Sequence, residues 1–285
     1  MYRYAKPTTL DEALSLLAAE RWRILAGGTD FYPAQGARPI RDHVLDINAL
    51  DGLRGIAATQ NGVRIGARTS WTDVIRAELP AAFDALKQAA REVGSVQIQN
   101  TGTVAGNLCN ASPAADGAPP LMALDAEVEL ASTLGARRLP LGEFILGNRS
   151  TARLPHELVV AIHVPANAMS GRSAFRKLGA RRYLVISIAM VAARLFVEEK
   201  WIATAAVAVG ACSAVAMRLG ELERDLIGRP ADETLAAAVR DHHIAGLAPI
   251  DDVRATAGYR SIAAREIVGE ALLAAIEAVP RERVA

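Results

Sequence analysis

The chain has 285 residues, of which 51% are hydrophobic, and its formal net charge is +1 at pH 7. This length allows one or two domains with a substantial core. A net charge near zero gives no long-range field that would attract nucleic acid or an anionic membrane, so we expect neither as a partner.

The first ninety or so residues alternate between helix and strand patterns. Thr9 followed by Glu12 has the spacing of a capping box, and the apolar positions Leu10, Leu14 and Leu17 predict a short helix behind it. This alternation indicates a mixed fold. The further elements predicted here are strands at 22–25, 44–47 and 62–67, a helix at 71–79 opened by Ser70 or Thr72, and a helix at 81–93.

The remainder of the chain continues the mixed pattern, with a domain boundary expected between residues 165 and 173. Pro120 suits the first turn of a helix that continues through 121–124. The other predicted elements are strands at 127–130 and 157–164, two neighbouring strands at 183–197 and 201–209 joined by a turn at 198–200, a helix through 236–239 capped by Asp232 or a neighbour, and a helix at 261–276.

Two glycine-bearing segments are the most informative feature. The first is Ala-Gly-Gly-Thr-Asp at 26–30, and the second is Thr-Gly-Thr-Val-Ala-Gly-Asn at 101–107, continuing through Ser112 and Pro113 to Asp116. Small residues let a ligand approach the backbone, and glycine accepts the positive φ angles that turn successive N–H groups towards an anion. Either segment alone is more typical of a turn. Together they suggest a cradle for a phosphorylated cofactor.

Two familiar phosphate motifs are absent from these segments. Gly28 is not followed by Gly-Lys-Ser/Thr, and neither segment has the Gly-x-Gly-x-x-Gly spacing. A P-loop and an ordinary Rossmann domain are therefore disfavoured.

The cysteines and histidines do not form a recognisable metal site. Cys109 and Cys212 are the only cysteines, and their separation fits neither zinc nor iron–sulfur ligation. Any iron–sulfur chemistry would then come from another chain. We interpret Cys109 as a small packing residue, and His242 with His243 as a solvated helix end.

The N-terminal residues contain no apolar segment followed by a cleavage site of small residues, so we expect a cytoplasmic protein. The most membrane-like segment, 201–217, is interrupted by Thr204, Gly210 and Ser213 and is too short to span a bilayer.

In order and spacing, these residues resemble the FAD-binding medium subunit of the molybdenum hydroxylases, the family of xanthine dehydrogenase and aerobic carbon monoxide dehydrogenase. The resemblance covers essentially the whole chain. The segments that carry it are 26–30, 65–67, 103–107 with Ser112, Pro113 and Asp116, Lys177 before Arg181, and 251–260.

The resemblance implies an α+β fold. An N-terminal FAD-binding domain of the PCMH type would span 1–170 and consist of two α/β subdomains, about 1–56 and 57–170. A C-terminal domain of a sheet plus helices would follow at 171–285.

The resemblance also implies which residues bind FAD. Residues 24–31 and 103–107 would hold the pyrophosphate, Asp116 would anchor the ribose or adenine end, and Lys177 would stabilise negative charge on the reduced flavin. No catalytic residue and no metal ligand is implied. The implied cofactor-binding residues are Ile24, Leu25, Ala26, Gly27, Gly28, Thr29, Asp30, Phe31, Thr103, Val104, Ala105, Gly106, Asn107, Asp116, Leu158 and Lys177.

Several of these interpretations have alternatives. Lys177 is equally consistent with a solvated lysine in the basic run 172–182, and Tyr183 is either a shield for the flavin ring or a core residue at a strand start. Residues 251–260 would fix the last helix or contact a partner subunit. The chain departs from the family pattern at Ala105, where a glycine is usual, and at Gln99, where an arginine is common.

The implied function is electron transfer within a molybdenum hydroxylase. The chain would take electrons from a 2Fe-2S small subunit, beside a molybdopterin large subunit, and pass them to NAD or another acceptor, in a dimer of heterotrimers. The alternatives are a free-standing FAD-dependent oxidase or reductase and a scaffold subunit without flavin. A free-standing enzyme needs its own substrate pocket and catalytic base, and the sequence indicates neither.

Overall fold

A computed structural model describes residues 2–277, so Met1 and residues 278–285, the end of the predicted C-terminal domain, lie outside the described part. Up to residue 165 the elements are β1 (Tyr4–Ala5), α1 (Leu10–Ala19), β2 (Arg23–Leu25), α2 (Phe31–Gln35), β3 (Val44–Asp46), β4 (Ile56–Thr59), β5 (Gly62–Gly66), α3 (Trp71–Arg76), α4 (Asp84–Glu92), α5 (Val96–Thr101), α6 (Val104–Asn110), α7 (Ala118–Ala123), β6 (Glu127–Ser132), β7 (Gly135–Pro140), α8 (Leu141–Phe144), β8 (Ile145–Gly147), β9 (Ser150–Thr151) and β10 (Leu158–Pro165). The elements that follow are β11 (Arg172–Leu178), β12 (Ala189–Glu198), β13 (Trp201–Gly210), β14 (Met217–Arg218), α9 (Gly220–Leu226), α10 (Thr234–Ala238), α11 (Asp241–Ile244) and α12 (Ala257–Ile276).

The first sheet is parallel, with the strand order β1-β3-β2. Helix α1 buries Leu14 and Leu17 against it, and the helix begins where Thr9 Oγ1 accepts a hydrogen bond from the Glu12 N–H at 3.3 Å. The Glu12 carboxylate accepts from the Thr8 N–H instead of from Thr9, so half of the predicted capping box is present. Because β2 is an edge strand, the first glycine segment leaves the sheet at an open edge.

The second sheet is antiparallel, with the order β4-β5-β10-β6-β7. Its core contains the fully buried side chains of Trp71, Phe83 and Phe144. Helix α3 begins at the predicted Ser70, whose hydroxyl accepts from the Asp73 N–H while the Asp73 carboxylate accepts from the Ser70 N–H. This capping box fixes the turn that leads from β5 towards the second glycine segment.

The third sheet, with the order β11-β12-β13-β14, is covered on both faces. Helix α12 packs on one face, and α4 and α7 from the earlier part of the chain pack on the other. The second interface is built of small residues, including Ala85, Ala89, Ala123, Ala192 and Ala206, which permit close approach.

Within residues 2–277, no helix has both the length and the apolar character needed to cross a membrane.

Most predicted elements are present, and the structure adds elements that were not predicted, among them α2, β4, β7 and β11. Strand β11 was not expected, because its charged Arg172, Arg176 and Lys177 mask the apolar alternation. The strand predicted at 183–197 begins only at Ala189. The residues before it are not extended, because Leu184 has a φ of 52°.

A charge network joins the third sheet to the end of α7. Arg194 is 5% exposed, and its guanidinium donates to the carbonyl oxygen of Ala123 at 2.8 Å and to an Asp125 carboxylate oxygen at 3.1 Å. Arg218 donates to the other Asp125 oxygen at 2.6 Å. Burial lowers the pKa of Arg194, so this cation depends on a nearby counter-charge. Asp125 therefore pairs with two arginines that meet at this interface, and Glu223, 2.5 Å from Arg218, supplies the second negative charge.

We predict that Asp125→Asn lowers the free energy of unfolding by about 2 kcal/mol, because Arg194 loses its counter-charge while buried. Asparagine tolerates the positive φ of this position, so the substitution adds no backbone strain to the measured free energy of unfolding. Asp51→Asn is the control, since Asp51 is fully exposed beside Arg68. Urea denaturation measures both variants, and equal losses would contradict the assigned role of Asp125.

Candidate functional site

A cavity of about 860 Å³ opens beside the edge strand β2. One wall consists of residues 26–31, a second of residues in 102–110, and a third of residues between 149 and 159. The two glycine-bearing segments, separated by about seventy residues of sequence, thus line the same space.

The first glycine segment requires both of its glycines, for different reasons. Gly28 has a φ of 75°, in the left-handed region that glycine adopts without strain. At Gly27 the requirement is space, because a Cβ atom would lie 1.8 Å from the carbonyl oxygen of Thr101. The backbone of the first segment therefore packs directly on the end of α5.

A hydrogen-bonded chain from the first sheet holds this segment in place. Asn48 Nδ2 donates to the Ala26 carbonyl oxygen and to Asp46 Oδ1, both at 2.8 Å, and the Tyr4 hydroxyl donates to Asp46 Oδ2 at 2.5 Å. The bond to Asp46 raises the pKa of Tyr4. Because a trans peptide directs its C=O and N–H to opposite sides, Asn48 turns the Gly27 N–H away from itself. No motif in the sequence indicated these three residues.

The second glycine segment is a helix start rather than a loop. Thr103 caps α6, and its hydroxyl accepts from the Gly106 N–H at 3.0 Å. Gly102 and Gly106 have no positive φ, so the description as a nest of positive-φ glycines is wrong for this segment. Size matters here instead, because a Cβ on Gly106 would lie 2.7 Å from Thr103 Oγ1. The methyl group of Ala105 is accommodated in the core.

Backbone N–H groups in the two segments remain available to a ligand. Within residues 2–277, no protein oxygen accepts a hydrogen bond from the N–H of Gly27, Gly28, Thr29 or Ala105. Buried or partly buried N–H groups normally have a partner, so these four fit an anion bound between the walls.

The charge of the cavity wall favours an anionic ligand. The lining residues include five arginines, Arg21, Arg23, Arg41, Arg149 and Arg153, and two aspartates, Asp30 and Asp42. The Arg23 guanidinium lies over the Phe31 ring at 4.1 Å from its centroid and donates to Gln35, which fixes its position. A cofactor that carries a pyrophosphate fits both this excess of positive charge and the free N–H groups.

Twelve of the sixteen residues predicted to bind the cofactor line the cavity. They are Ile24, Ala26, Gly27, Gly28, Thr29, Asp30, Phe31, Thr103, Ala105, Gly106, Asn107 and Leu158. Leu25 and Val104 are buried in two separate hydrophobic clusters, consistent with a role in supporting the walls. Asp116 and Lys177 are not among the lining residues and form a pair with each other.

The Asp116–Lys177 pair is a buried ion pair. Lys177 Nζ lies 2.8 Å from Asp116 Oδ2, and the two side chains are 6% and 11% exposed respectively. The Ser187 hydroxyl donates to Asp116 Oδ1 at 3.2 Å. Burial raises the pKa of Asp116, and the lysine and the serine hydroxyl oppose that shift. The alternative of a solvated Lys177 is therefore wrong.

Two further residues differ from their sequence interpretation. Tyr183 is 60% exposed on the irregular segment before β12, so it is not a core residue. Cys109 is exposed and lines the cavity, so it is not a packing residue either. The sequence also gave no indication that Trp71, Val93 and Arg153 contribute to the same cavity.

Asp225, His242 and His243 lie close enough together to be considered as metal ligands. His243 is buried, and its Nδ1 accepts from the Arg240 N–H at 3.0 Å, while its Nε2 lies 3.0 Å from Asp225 Oδ2. An imidazole whose Nδ1 accepts a hydrogen bond carries its proton on Nε2 and donates from there, which leaves no lone pair for a metal. The interpretation as a solvated helix end holds for His242 alone.

Comparison with known families matches the chain to two domain models. Residues 1–167 match the FAD binding domain in molybdopterin dehydrogenase, and residues 159–275 match the CO dehydrogenase flavoprotein C-terminal domain.

Individual relatives are similar over nearly the whole chain. The glyceraldehyde dehydrogenase medium chain of Sulfolobus acidocaldarius is 30% identical over 94% of each chain, and the carbon monoxide dehydrogenase medium chain of Hydrogenophaga pseudoflava is 29% identical over 96% of each. A solved structure, reconstituted CO dehydrogenase from Oligotropha carboxidovorans, gives a TM-score of 0.89 at 27% identity, covering 97% of this chain and 98% of that one. The predicted resemblance and the α+β fold class are confirmed.

We predict that Gly27→Ala costs at least about 2 kcal/mol of unfolding free energy, because the added methyl group displaces the Thr101 carbonyl. Gly52→Ala is the control, since nothing lies within 4 Å of a Cβ there and the change should remain within about 0.5 kcal/mol. Denaturant unfolding followed by circular dichroism measures both. A tolerated Gly27→Ala would show that the two segments do not pack as closely as described.

Proposed function

The chain belongs to the family of FAD-binding medium subunits of the molybdenum hydroxylases, and on that premise we propose that it transfers electrons from a 2Fe-2S partner subunit to NAD or another acceptor. It is an oxidoreductase subunit whose cofactor is FAD. The observation that carries the proposal is the meeting of the two glycine segments around one cavity, with four backbone N–H groups free to bind an anion.

The protein's own contribution is to bind and orient the cofactor. Bound FAD would supply the exchange between single-electron and paired-electron transfer. The N–H groups of Gly27, Gly28, Thr29 and Ala105 would hold the pyrophosphate, and the arginines of the wall would add attraction for its charge. Asn48 keeps the Ala26–Gly27 peptide in the orientation this contact requires.

The Asp116–Lys177 pair would serve one end of the cofactor. The sequence-based roles of these residues place them at opposite ends of an extended FAD, whereas Lys177 Nζ and Asp116 Oδ2 are 2.8 Å apart. A lysine is useful where negative charge develops, and the adenine ring is not such a place. The pair therefore belongs at the flavin end, with Asp116 holding Lys177 in position rather than anchoring the ribose.

The partners and boundaries follow as parts of the same proposal. The relatives are named medium chains of dehydrogenases, which supports assembly with a 2Fe-2S small subunit and a molybdopterin large subunit, as two copies of each. We further propose that the protein is cytoplasmic. Its two domains would divide at about residue 170, and the two subdomains of the first domain at about residue 56.

We predict that the purified chain carries FAD or takes it up. A visible spectrum with flavin absorption bands is expected, with release of FAD on denaturation. Assays with and without the co-expressed small and large subunits then separate the candidates. Acceptor reduction only in the complete assembly supports the proposed function, and turnover by the chain alone supports a free-standing enzyme. A chain that shows no flavin absorption and does not bind added FAD contradicts both the proposed function and the free-standing enzyme.

We predict that Lys177→Met lowers the flavin midpoint potential by on the order of 30 mV, about 1.4 kcal/mol for a two-electron couple, because a cation near the reduced ring is lost. Lys177→Arg keeps the charge and should retain most of the potential. Lys200→Met, at an exposed turn, is the control. Titration against redox dyes measures all three, and an unchanged potential in Lys177→Met rules out the tuning role.

A further inference from the structure

Arg260 is a buried arginine in the first turn of α12, away from the cavity wall. Its guanidinium is 3% exposed, and Nη1 donates to the carbonyl oxygens of Ile188 at 2.6 Å and Ala211 at 3.1 Å. Nη2 donates to Asp252 Oδ1 at 2.7 Å. The Arg260 side chain thus hydrogen-bonds to two chain segments, at Ile188 and at Ala211, that are more than twenty residues apart in sequence.

Both of these segments lead to the Asp116–Lys177 pair, which is proposed above to serve the flavin end of the cofactor. Ile188 directly follows Ser187, whose hydroxyl donates to Asp116 Oδ1 at 3.2 Å. Ala211 has a φ of 63°, and its N–H donates to the Pro113 carbonyl oxygen at 2.9 Å. Arg260 therefore reaches the short segment 113–116 by two routes, through Ser187 and through Ala211.

The residue that orients Arg260 is itself fixed. Asp252 accepts hydrogen bonds from the N–H groups of Arg254 at 2.8 Å and Ala255 at 3.2 Å, besides its contacts with the two guanidinium groups. The hydrogen bond from the Arg254 N–H, together with the two guanidinium groups, holds the pKa of Asp252 far below its usual range. The carboxylate is thus charged at neutral pH, as a counter-ion to a buried arginine must be.

The segment that Arg260 holds has few other anchors. Residues 179–188 form no regular element, and Tyr183, Leu184 and Ile186 on it are each more than half exposed. Besides the Ser187 hydroxyl and the Ile188 N–H, which donates to the Leu178 carbonyl oxygen, the segment is held at the Ile188 carbonyl oxygen, which accepts from Arg260 at 2.6 Å and from the weaker donor Cys212 Sγ at 3.9 Å. Its other described hydrogen bonds are internal ones from Arg181 to Leu184. The position of Ser187 relative to Asp116 therefore depends strongly on the Ile188 carbonyl contact.

We propose that Arg260, oriented by Asp252, is a positioning residue for the cofactor site: it holds Ser187 and the 113–116 segment so that Asp116 keeps Lys177 in place. This proposal rests on the proposed function, because the pair matters only if FAD binds beside it. It gives residues 251–260 a specific task, which is to connect the last helix to the cofactor site rather than only to fix that helix.

The test measures FAD affinity of the full chain by fluorescence titration in Arg260→Lys and Asp252→Asn. Lysine keeps the charge but reaches only one carbonyl, and we expect roughly tenfold weaker binding, with a smaller loss in Asp252→Asn. Arg265→Lys is the matched control, because Arg265 lies on the same helix but is 43% exposed and pairs with Asp241. Its affinity should match that of the wild type.

A double-mutant cycle separates positioning from general stabilisation. If Arg260 acts through Ser187, then adding Ser187→Ala to Arg260→Lys should weaken binding by less than the product of the two single effects. Hydrogen exchange of the FAD-free chain should rise at 183–188 in Arg260→Lys, while the rest of α12 remains protected.

The outcomes distinguish this inference from the proposed function. Wild-type affinity in Arg260→Lys, or effects that multiply in the cycle, would overturn the positioning role alone. A wild-type chain that binds no FAD would overturn the proposed function, and the positioning role with it.

Discussion

The close contact between Gly27 and the Thr101 carbonyl is the constraint on which the cofactor site depends. A Cβ at that position would lie 1.8 Å from the oxygen, so the two walls approach as nearly as two backbones can. This proximity brings the free N–H groups of the first segment and of Ala105 to one cavity. Hydrogen bonds to a shared anion from two separate segments can be satisfied only if the segments are held at a fixed distance.

The supports behind each wall reach it from different layers of the fold. The first wall is held from the parallel sheet, through Asp46 and Asn48 to the Ala26 carbonyl. The second is held from the turn that leads from β5 of the antiparallel sheet into α3, where the Trp71 N–H donates to the Gly102 carbonyl at 3.2 Å and the Thr69 carbonyl accepts from the Val104 N–H at 3.0 Å. The ion pair beyond the walls is held from the third sheet and α12. Each layer of the fold thus fixes one part of the site, which is how a site gains precision from a scaffold.

Sequence patterns predicted the local features well and the distant ones poorly. The helix starts at Thr9 and Ser70 were predictable because a cap is formed by residues three apart. The need for glycine at position 27 was not, because the atom that excludes a side chain belongs to Thr101, far along the chain. The pairing of Asp116 with Lys177 was not predictable either, because it spans 61 residues. Lys177 lies on β11, and the charged residues of that strand mask its apolar alternation. The resemblance named twelve residues that line the cavity without showing which of them touch.

The histidine in the cavity does not present the base that a free-standing oxidase would need. A free-standing oxidase that removes a proton from its substrate needs a base with an available lone pair. His43 is the histidine among the cavity-lining residues that the structure describes, and its Nδ1 accepts from the Arg3 N–H at 3.1 Å. Its Nε2 lies 3.5 Å from a Glu20 oxygen, and its ring packs against Trp22 with centroids 5.2 Å apart. His43 thus has its Nδ1 occupied by the Arg3 N–H and its Nε2 facing Glu20, so its ring supports the wall and is not the base that such an oxidase would need.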